Sequence, residues 1–417
     1  MNRNSYIYEG NQLGDHPPAS AVSAPRCALC GRDGDGQRLY VPLDAPLLRR
    51  HILLTGQAGG RRDALYQLVS QLNKTMEADD VMVLFDGTGD LTASFLQPED
   101  PLFDAAAQTP ASPWNLFREL DPGREDRIDG AARLLLGPCP PEEDKSLWTE
   151  AQDLLGAVML LFLRNQEAFY CDNLGLRQFM DQISGEELAQ LLEQQADLRP
   201  RAAVLRTAQA DGVLLLLRRL IRTRLSGAFQ GRGTASVTEL VAARGGKRIF
   251  LRRDPVAGPD LTGVYALILD LVLTQSLAPG KGSVYLIIDG LQYLPLPHLE
   301  DALTLESPLQ VTASLPGVTS LLGRWSRPAL LRTLDAFGIS VSFATQDPGS
   351  IHYLRRRYGE NRKVFPGLGP ENGDLLRDAN VVEDWDLRGL KDGQAIVGLP
   401  GEAPFRFQFL HTRKEGS

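Results

Sequence analysis

The chain has 417 residues, 43% of them hydrophobic and 23% charged, with a formal net charge of -8. That length exceeds one average domain and allows a sizeable core, in two domains or in one large α/β domain carrying an insertion. The composition excludes a disordered chain, and the acidic balance excludes a protein whose whole surface clings to nucleic acid, because phosphate binding draws on clustered Lys and Arg.

Residues 1–36 are rich in Gly, Pro, Ala and Ser and show no periodicity, which predicts a flexible arm ending in the Cys27-Ala-Leu-Cys30-Gly turn. The arm does not open with the basic-then-apolar pattern of a signal peptide. Four irregularly spaced cysteines point to a reducing compartment, so a cytoplasmic protein is expected. Cys27 and Cys30 have the spacing of half a zinc site, but structural zinc wants four ligands. Neither Cys139, Cys171 nor the five histidines supply a second pair, so no metal is expected unless two chains share the site.

Residues 37–125 read as the first part of an α/β domain. A short strand at 38–43 precedes the apolar run His51-Ile-Leu-Leu-Thr55, a glycine-rich turn and an amphipathic helix over 62–76. Strand, glycine-rich turn, helix is the opening of a nucleotide-binding unit. A second buried strand, 81–85, runs into Asp86-Gly-Thr-Gly-Asp90 on the ligand-facing edge of a parallel sheet.

From 126 to 229 the hydrophobic period becomes helical and predicts an inserted all-α domain. Its clearest helix is 145–165, with Leu147, Trp148, Ala151, Leu154, Leu155 and Val158 on one face; a second spans 201–226. The longest apolar run, 154–163, covers about half a bilayer, so no segment is predicted to cross a membrane unaided. Arg218, Arg219, Arg222 and Arg224 on the second helix, and Arg355, Arg356 and Arg357 on a later one, are either local basic patches or solvated helix faces.

Residues 230–410 resume the α/β alternation. Strands are predicted at 248–251, 284–288 and 339–344, helices at 261–277, 327–336 and 349–357, and strand-like pieces near 379–383 and 394–398 close the sheet before a tail at 411–417.

A P-loop needs G-x-x-x-x-G-K-[ST]: glycines let backbone N–H groups wrap the phosphates, Lys reaches the β/γ oxygens, and the hydroxyl ligates Mg2+. Here the corresponding segment is Gly56-Gln-Ala-Gly59-Gly60-Arg61-Arg62-Asp63. Arg61 stands for the second obligatory glycine, Arg62 for the lysine and Asp63 for the hydroxyl residue. Arg61 brings a Cβ and a long chain into the loop, Arg62 is a poor substitute for a compact ammonium, and Asp63 sets negative charge beside the phosphate position. At the second half of such a site, the strand 284–288 delivers Asp289, but Gly290 replaces the glutamate that orients the attacking water. No Ser/His/Asp or Cys/His arrangement suggests another enzyme class.

The order of these elements over residues 37–410 resembles the TraD/TraG type IV coupling proteins, of the HerA/FtsK-type P-loop ATPase superfamily. His51-Ile-Leu-Leu-Thr-Gly56 is similar to the family's strand into Walker A, and Phe85-Asp86-Gly-Thr-Gly-Asp90-Leu91 to the segment after its next strand. Pro113-Trp114-Asn115-Leu-Phe117 resembles the element after that, and Trp148 and Ala151 the start of the family's all-α domain. Leu286-Ile-Ile-Asp289 looks like its Walker B strand, with Leu294, Pro295, Leu296, Pro297 and Leu299 echoing the leucine- and proline-containing stretch that comes next in the family. Gly338-Ile-Ser-Val-Ser-Phe-Ala-Thr345-Gln346 resembles the strand whose glutamine senses phosphate, and Tyr358-Gly359 comes soon after it, as in the family.

The resemblance implies a RecA-like P-loop NTPase core with a mostly parallel sheet, interrupted by an all-α domain that recognises substrates and adaptors. Family members are membrane-anchored hexameric ATPases delivering DNA or protein to a type IV secretion channel. Arg324, Arg327 and Arg332 are candidates for an arginine finger toward a neighbouring subunit, or for surface ion pairs. Because the Walker residues are degenerate, the expectation is a pseudo-ATPase without ATP or Mg2+. It would act as a non-motor component or adaptor among the proteins of a secretion or conjugation machine, alongside a coupling ATPase, in a homo- or hetero-oligomer, at the inner membrane only through partners. The alternatives are an atypical active ATPase translocating DNA or protein, and a nucleic-acid-binding module using the arginines of 218–224.

Overall fold

The structure is a computed structural model describing residues 5–19, 22–32, 36–104, 113–121, 123–256, 258–278, 280–323, 325–366, 368 and 373–411. Strands β1 (Tyr6–Glu9), β2 (Cys27–Arg32) and β3 (Arg38–Leu43) precede helix α1 (Ala45–Leu48), β4 (Ile52–Thr55), α2 (Ala58–Thr75), β5 (Val81–Asp86), α3 (Asp90–Phe95) and β6 (Leu102–Asp104). Helices then dominate: α4 (Glu125–Leu136), α5 (Lys145–Arg164), α6 (Asn173–Gln182), α7 (Gly185–Glu193), α8 (Arg199–Ala202), α9 (Ala210–Arg224) and α10 (Val237–Ala243). The alternation returns with β7 (Lys247–Arg252), α11 (Gly258–Ser276), β8 (Val284–Asp289), α12 (Leu299–Thr304), β9 (Leu309–Leu315), α13 (Arg327–Asp335) and β10 (Ile339–Phe343). It ends with α14 (Pro348–Tyr358), β11 (Glu360–Phe365), β12 (Leu375–Asn380), α15 (Asp384–Arg388), β13 (Gln394–Gly398) and β14 (Phe405–Phe409).

The chain divides into two compact units, one of Met1–Asp80, Lys281–Gln292 and Leu299–Ser417, the other of Val81–Gly280 and Tyr293–His298. In the first unit the strands lie in the order β3-β2-β14-β13-β10-β4-β9-β8. Strands β10, β4, β9 and β8 are mutually parallel, whereas β13, β14, β2 and β3 add antiparallel neighbours at one side. Every residue of β4, β8, β9 and β10 is buried, as a parallel sheet covered on both faces requires. A separate three-stranded antiparallel sheet has the order β1-β11-β12.

In the second unit β5, β7 and β6 form a parallel ladder, and the helices pack on one another. Helix α5 is long and apolar enough to cross a bilayer, but 67% of that stretch is buried. Leu154, Leu155, Val158 and Leu161 are buried, α5 lies against α4 and α9, and Phe162 stacks on Phe117 and Phe169. Burying each such side chain contributes about 1.5–3 kcal/mol, which explains the continuous apolar run 154–163 inside a folded body.

Several elements differ from expectation. The stretch 27–31 is no turn: Cys27, Leu29 and Gly31 alternate inward along β2, and Gln71 of α2 both receives the Ala28 N–H (3.0 Å) and donates to the Ala28 carbonyl (2.8 Å). The arm therefore supplies two strands, since pairing with β11, β14 and β3 gives its backbone partners that composition does not reveal. Helix α2 starts at Ala58 rather than Arg62, so Gly59 and Gly60 of the P-loop-like segment are helical. The helix expected over 201–226 is broken between Arg206 and Ala210, where Thr207 is extended. Strand β9 was not expected, and β12 joins the small sheet instead of closing the main one.

Candidate functional site

Because β4, β8, β9 and β10 are parallel, Thr55, Asp289, Leu315 and Phe343 all leave the sheet at one edge, the edge where α/β sheets hold ligands. Strand β14 is antiparallel to β13, which is antiparallel to β10, so the end of β14 emerges there too.

Gly56 turns the chain from β4 into α2 with φ 101°, and a Cβ there would stand 2.5 Å from the Phe343 carbonyl oxygen. Only glycine fits both demands. The next N–H, of Gln57, donates to Ala344 O at 3.0 Å, which fastens the turn to the end of β10. Arg61, 8% exposed, folds back so that its Nη1 donates to the Gly56 carbonyl at 3.0 Å. The side chain at the second P-loop glycine position thus closes over the turn itself.

Asp63 is 7% exposed, and its Oδ2 lies 2.9 Å from His411 Nδ1, just past β14. Gln67, one turn further along α2, donates to Leu410 O at 2.7 Å and accepts from Cys30 N at 3.2 Å. The carboxylate that stands in the place of the Mg2+-binding hydroxyl is therefore engaged by the C-terminal end of the sheet.

Asp289 is 3% exposed and accepts the Ser314 hydroxyl at 2.7 Å from directly across on β9. Gly290 comes next with φ 103°, its N–H donating to Ser314 O at 3.2 Å. The residue in the catalytic glutamate position thus adopts a left-handed conformation that L side chains rarely take. Gln346, exposed beyond β10, accepts from Arg388 Nη1 at 2.7 Å. Sequence reading placed Gly56, Gly59, Gly60, Arg61, Arg62, Asp63, Asp289 and Gln346, all of which lie in this unit. It missed Ser314, Arg388 and His411, for which no local signal exists.

In the second unit, buried Asp86 accepts from Gly89 N (2.8 Å) and Thr92 N (2.6 Å), holding the Asp86–Asp90 turn onto α3. Trp114 and Asn115 serve local structure: Glu119 accepts from Trp114 Nε1 at 2.8 Å, Val237 N at 2.6 Å, Ser236 Oγ at 2.9 Å and Thr238 N at 3.1 Å, and Asn115 Nδ2 donates to Cys171 O at 3.0 Å and Gly233 O at 3.1 Å.

The arginines of α9 are used internally. Arg218 donates to Met180 O and Ile183 O, Arg219 meets Glu143, Arg222 meets Asp181, and Arg224 donates to Asp260 O. Arg355 and Arg356 pair with Asp384 and Asp335, and Arg357 donates to Gly338 O at 3.0 Å. Arg332 pairs with Glu300, Arg327 opens α13, and Arg324 lies outside the described residues.

Cys27 and Cys30, three apart on a regular strand, face opposite sides of β2, so they do not converge as a zinc knuckle would. Burial pushes the Cys27 thiol up to about 12, which opposes the thiolate a metal needs. Among the described residues no three His, Cys, Asp or Glu side chains gather as a metal site.

This architecture, a strand-turn-helix at the edge of a mostly parallel sheet with an acidic strand end beside it, is that of a P-loop NTPase core of the RecA-like kind with an all-α part. The family model described as the type IV secretion-system coupling protein DNA-binding domain matches residues 39–307. The chain belongs to that family and is a coupling protein of the type IV secretion and conjugation class. It is similar in fold to the bacterial conjugative coupling protein TrwBdeltaN70 in an unbound form, with TM-score 0.75 and 20% identity, covering 89% of this chain and 88% of that one. The plasmid coupling protein TrwB in complex with ADP and Mg2+ aligns with TM-score 0.75 and 18% identity, over 99% and 96% of the two chains. VirB4 of Thermoanaerobacter pseudethanolicus is more distant, at TM-score 0.57 and 11% identity over 95% and 99%. Among curated proteins, none matches.

Proposed function

We propose that this chain is a coupling-protein relative that serves a type IV secretion or conjugation machine without turning over ATP. The observation that carries this reading is the Asp63 carboxylate, placed where Mg2+ and phosphate would meet a hydroxyl and engaged by His411. Arg61 closing on Gly56 O, the left-handed Gly290 and the Arg388–Gln346 contact support it, since each Walker element is either altered or already bonded within the chain. The residues present do not fit Mg-ATP: a second carboxylate near the phosphates adds repulsion, and no side chain at position 290 orients water.

The helices between Glu125 and Arg224 support assigning 126–229 to an inserted all-α domain, with 37–125 and 230–410 forming the RecA-like core. That domain would bind protein components of the machine, in the cytoplasm or at the inner membrane through partners. The family model is named for DNA binding, which favours a second reading in which the chain contacts DNA. The internal pairing of the α9 arginines weighs against that helix as the contact surface.

The test is calorimetric titration of ATP with Mg2+ into the wild type and into the triple variant Arg61→Gly, Arg62→Lys, Asp63→Thr, with turnover measured beside it. The wild type should neither bind nor hydrolyse, and the triple variant should gain affinity without hydrolysis. Tight binding by the wild type, or turnover abolished by Asp289→Ala, overturns the reading; fluorescence anisotropy with duplex and single-stranded DNA decides the second.

A further inference from the structure

The C-terminal end of the main sheet does more than finish it. Leu410 and His411 run on from β14 across the edge where α2 begins, and both touch that helix. The Leu410 carbonyl accepts from Gln67 Nε2 at 2.7 Å, and His411 Nδ1 meets Asp63 Oδ2 at 2.9 Å. The turn before β13 adds a third contact. Asp392 Oδ1 would lie 3.3 Å from a Cβ on Gly59, and the Gly393 Cα 3.1 Å from one on Gly60, so this turn packs directly on the first turn of α2.

The two C-terminal pieces are also fastened to each other. Phe409 N donates to Gly393 O at 2.8 Å, and Gln408 Nε2 donates to Asp392 O at 3.0 Å. A Cβ on Gly393 would stand 2.8 Å from Gln408 Nε2 and 3.4 Å from His411 Cε1. The first turn of α2 has no side-chain cap of its own, Gln57 at the cap position making no such bond. Beside the Arg61 contact to Gly56 O and the Gln57 N–H bond to Ala344 O, the start of the helix is therefore held by a distant part of the chain: the His411 and Asp63 partners are 348 residues apart.

We infer that residues 391–393 and 410–411 form a latch on the degenerate P-loop, so that the order of α2's first turn depends on the docking of the C-terminal end. Drawing Leu410 and His411 away breaks one bond of Gln67 and one of Asp63 together and loosens the segment from Ala58 to about Gln67. The site then reports the state of the C-terminal end to the rest of the α2 helix, a regulatory use that rests on the non-motor reading proposed for this chain. The charged groups that meet at the latch are Asp63 on α2, Asp392 on the turn and His411 itself; the docking is a joint effect of hydrogen bonds and packing rather than of one ion pair, since His411 is more than half exposed.

Amide hydrogen exchange on the full chain without nucleotide tests this, and its readout is separate from nucleotide binding. In His411→Ala, amides of residues 61–67 should exchange about fivefold faster, while those of 68–75 in the same helix stay at the wild-type rate. His411→Asn, which keeps a side-chain donor, should restore most of the protection. Gly393→Ala, which pushes on Gln408 and His411 from below, should reproduce the local loosening with His411 intact. Unchanged exchange at 61–67 in His411→Ala, or a uniform rise along the whole of α2 that His411→Asn does not reverse, overturns the latch. Tight Mg-ATP binding by the wild type would instead overturn the non-motor reading while leaving the exchange result standing.

Discussion

Ser314 gives its hydroxyl hydrogen bond to Asp289 at 2.7 Å, from the residue directly opposite on the neighbouring strand. Both residues are buried, so the carboxylate depends on that donor for part of its solvation. Ser314→Ala should lower stability by about 1–3 kcal/mol, measured as the shift in the urea midpoint at constant m-value. Ser314→Thr, which keeps the hydroxyl, should lose less.

Gly290 constrains any attempt to rebuild the catalytic centre. With φ at 103°, Gly290→Glu places a side chain in a conformation that costs about 1–2 kcal/mol before any catalytic gain. The variant should unfold at lower temperature than the wild type and still fail to hydrolyse ATP, alone or with the three P-loop reversions. A normal melting temperature would show that the turn re-forms with a different backbone.

Glu119 gathers the indole of Trp114, the N–H groups of Val237 and Thr238 and the Ser236 hydroxyl, thereby capping α10 from outside it. Glu119→Ala strands several buried donors at once and should cost about 3 kcal/mol or more. Tryptophan fluorescence during urea unfolding reads the loss, and Glu119→Gln should recover only part of it because the amide accepts through one oxygen.

His51 gives the chain a pH dependence. It is 2% exposed; its Nδ1 accepts from Val311 N at 3.1 Å, which fixes the other nitrogen as the protonated one, facing Leu303 O at 3.2 Å. Burial lowers its pKa from 6.5 to about 4. Between those values the unfolded chain binds the proton and the folded one does not, so stability falls as pH drops through that window, by about 3 kcal/mol for this residue, and levels off below it. Urea midpoints at pH 7 and 4.5 should show the fall, and His51→Asn, which tolerates the left-handed backbone at this position (φ 58°), should flatten it.

Strands β4, β5, β8 and β10 were legible because two-sided burial writes them as short apolar runs between turn residues. Strand β9 was not. Its sequence LQVTASL alternates polar residues, the mark of a half-exposed strand, yet all seven residues are buried. The polar ones are tolerated because they bond across strands, Gln310 to Ser283 and Ser314 to Asp289, and no one-dimensional pattern carries that information. The candidate site divides likewise. The altered Walker positions are readable from spacing alone, whereas Arg388 reaches Gln346 from 42 residues away and His411 reaches Asp63 from 348.

The placement of β4 also has a consequence for how the chain is made. Its neighbours on either side are β9 and β10, so that His51 meets Val311 across 260 residues and Thr55 meets Ser342 across 287. During synthesis the strand that carries the P-loop emerges early and has no sheet partner until most of the polypeptide has left the ribosome. Closing such wide loops is entropically slow, so the pairing of β4 is completed late, and the hydrophobic strand 52–55 needs shielding in the meantime by early packing of the α2 helix or by a chaperone.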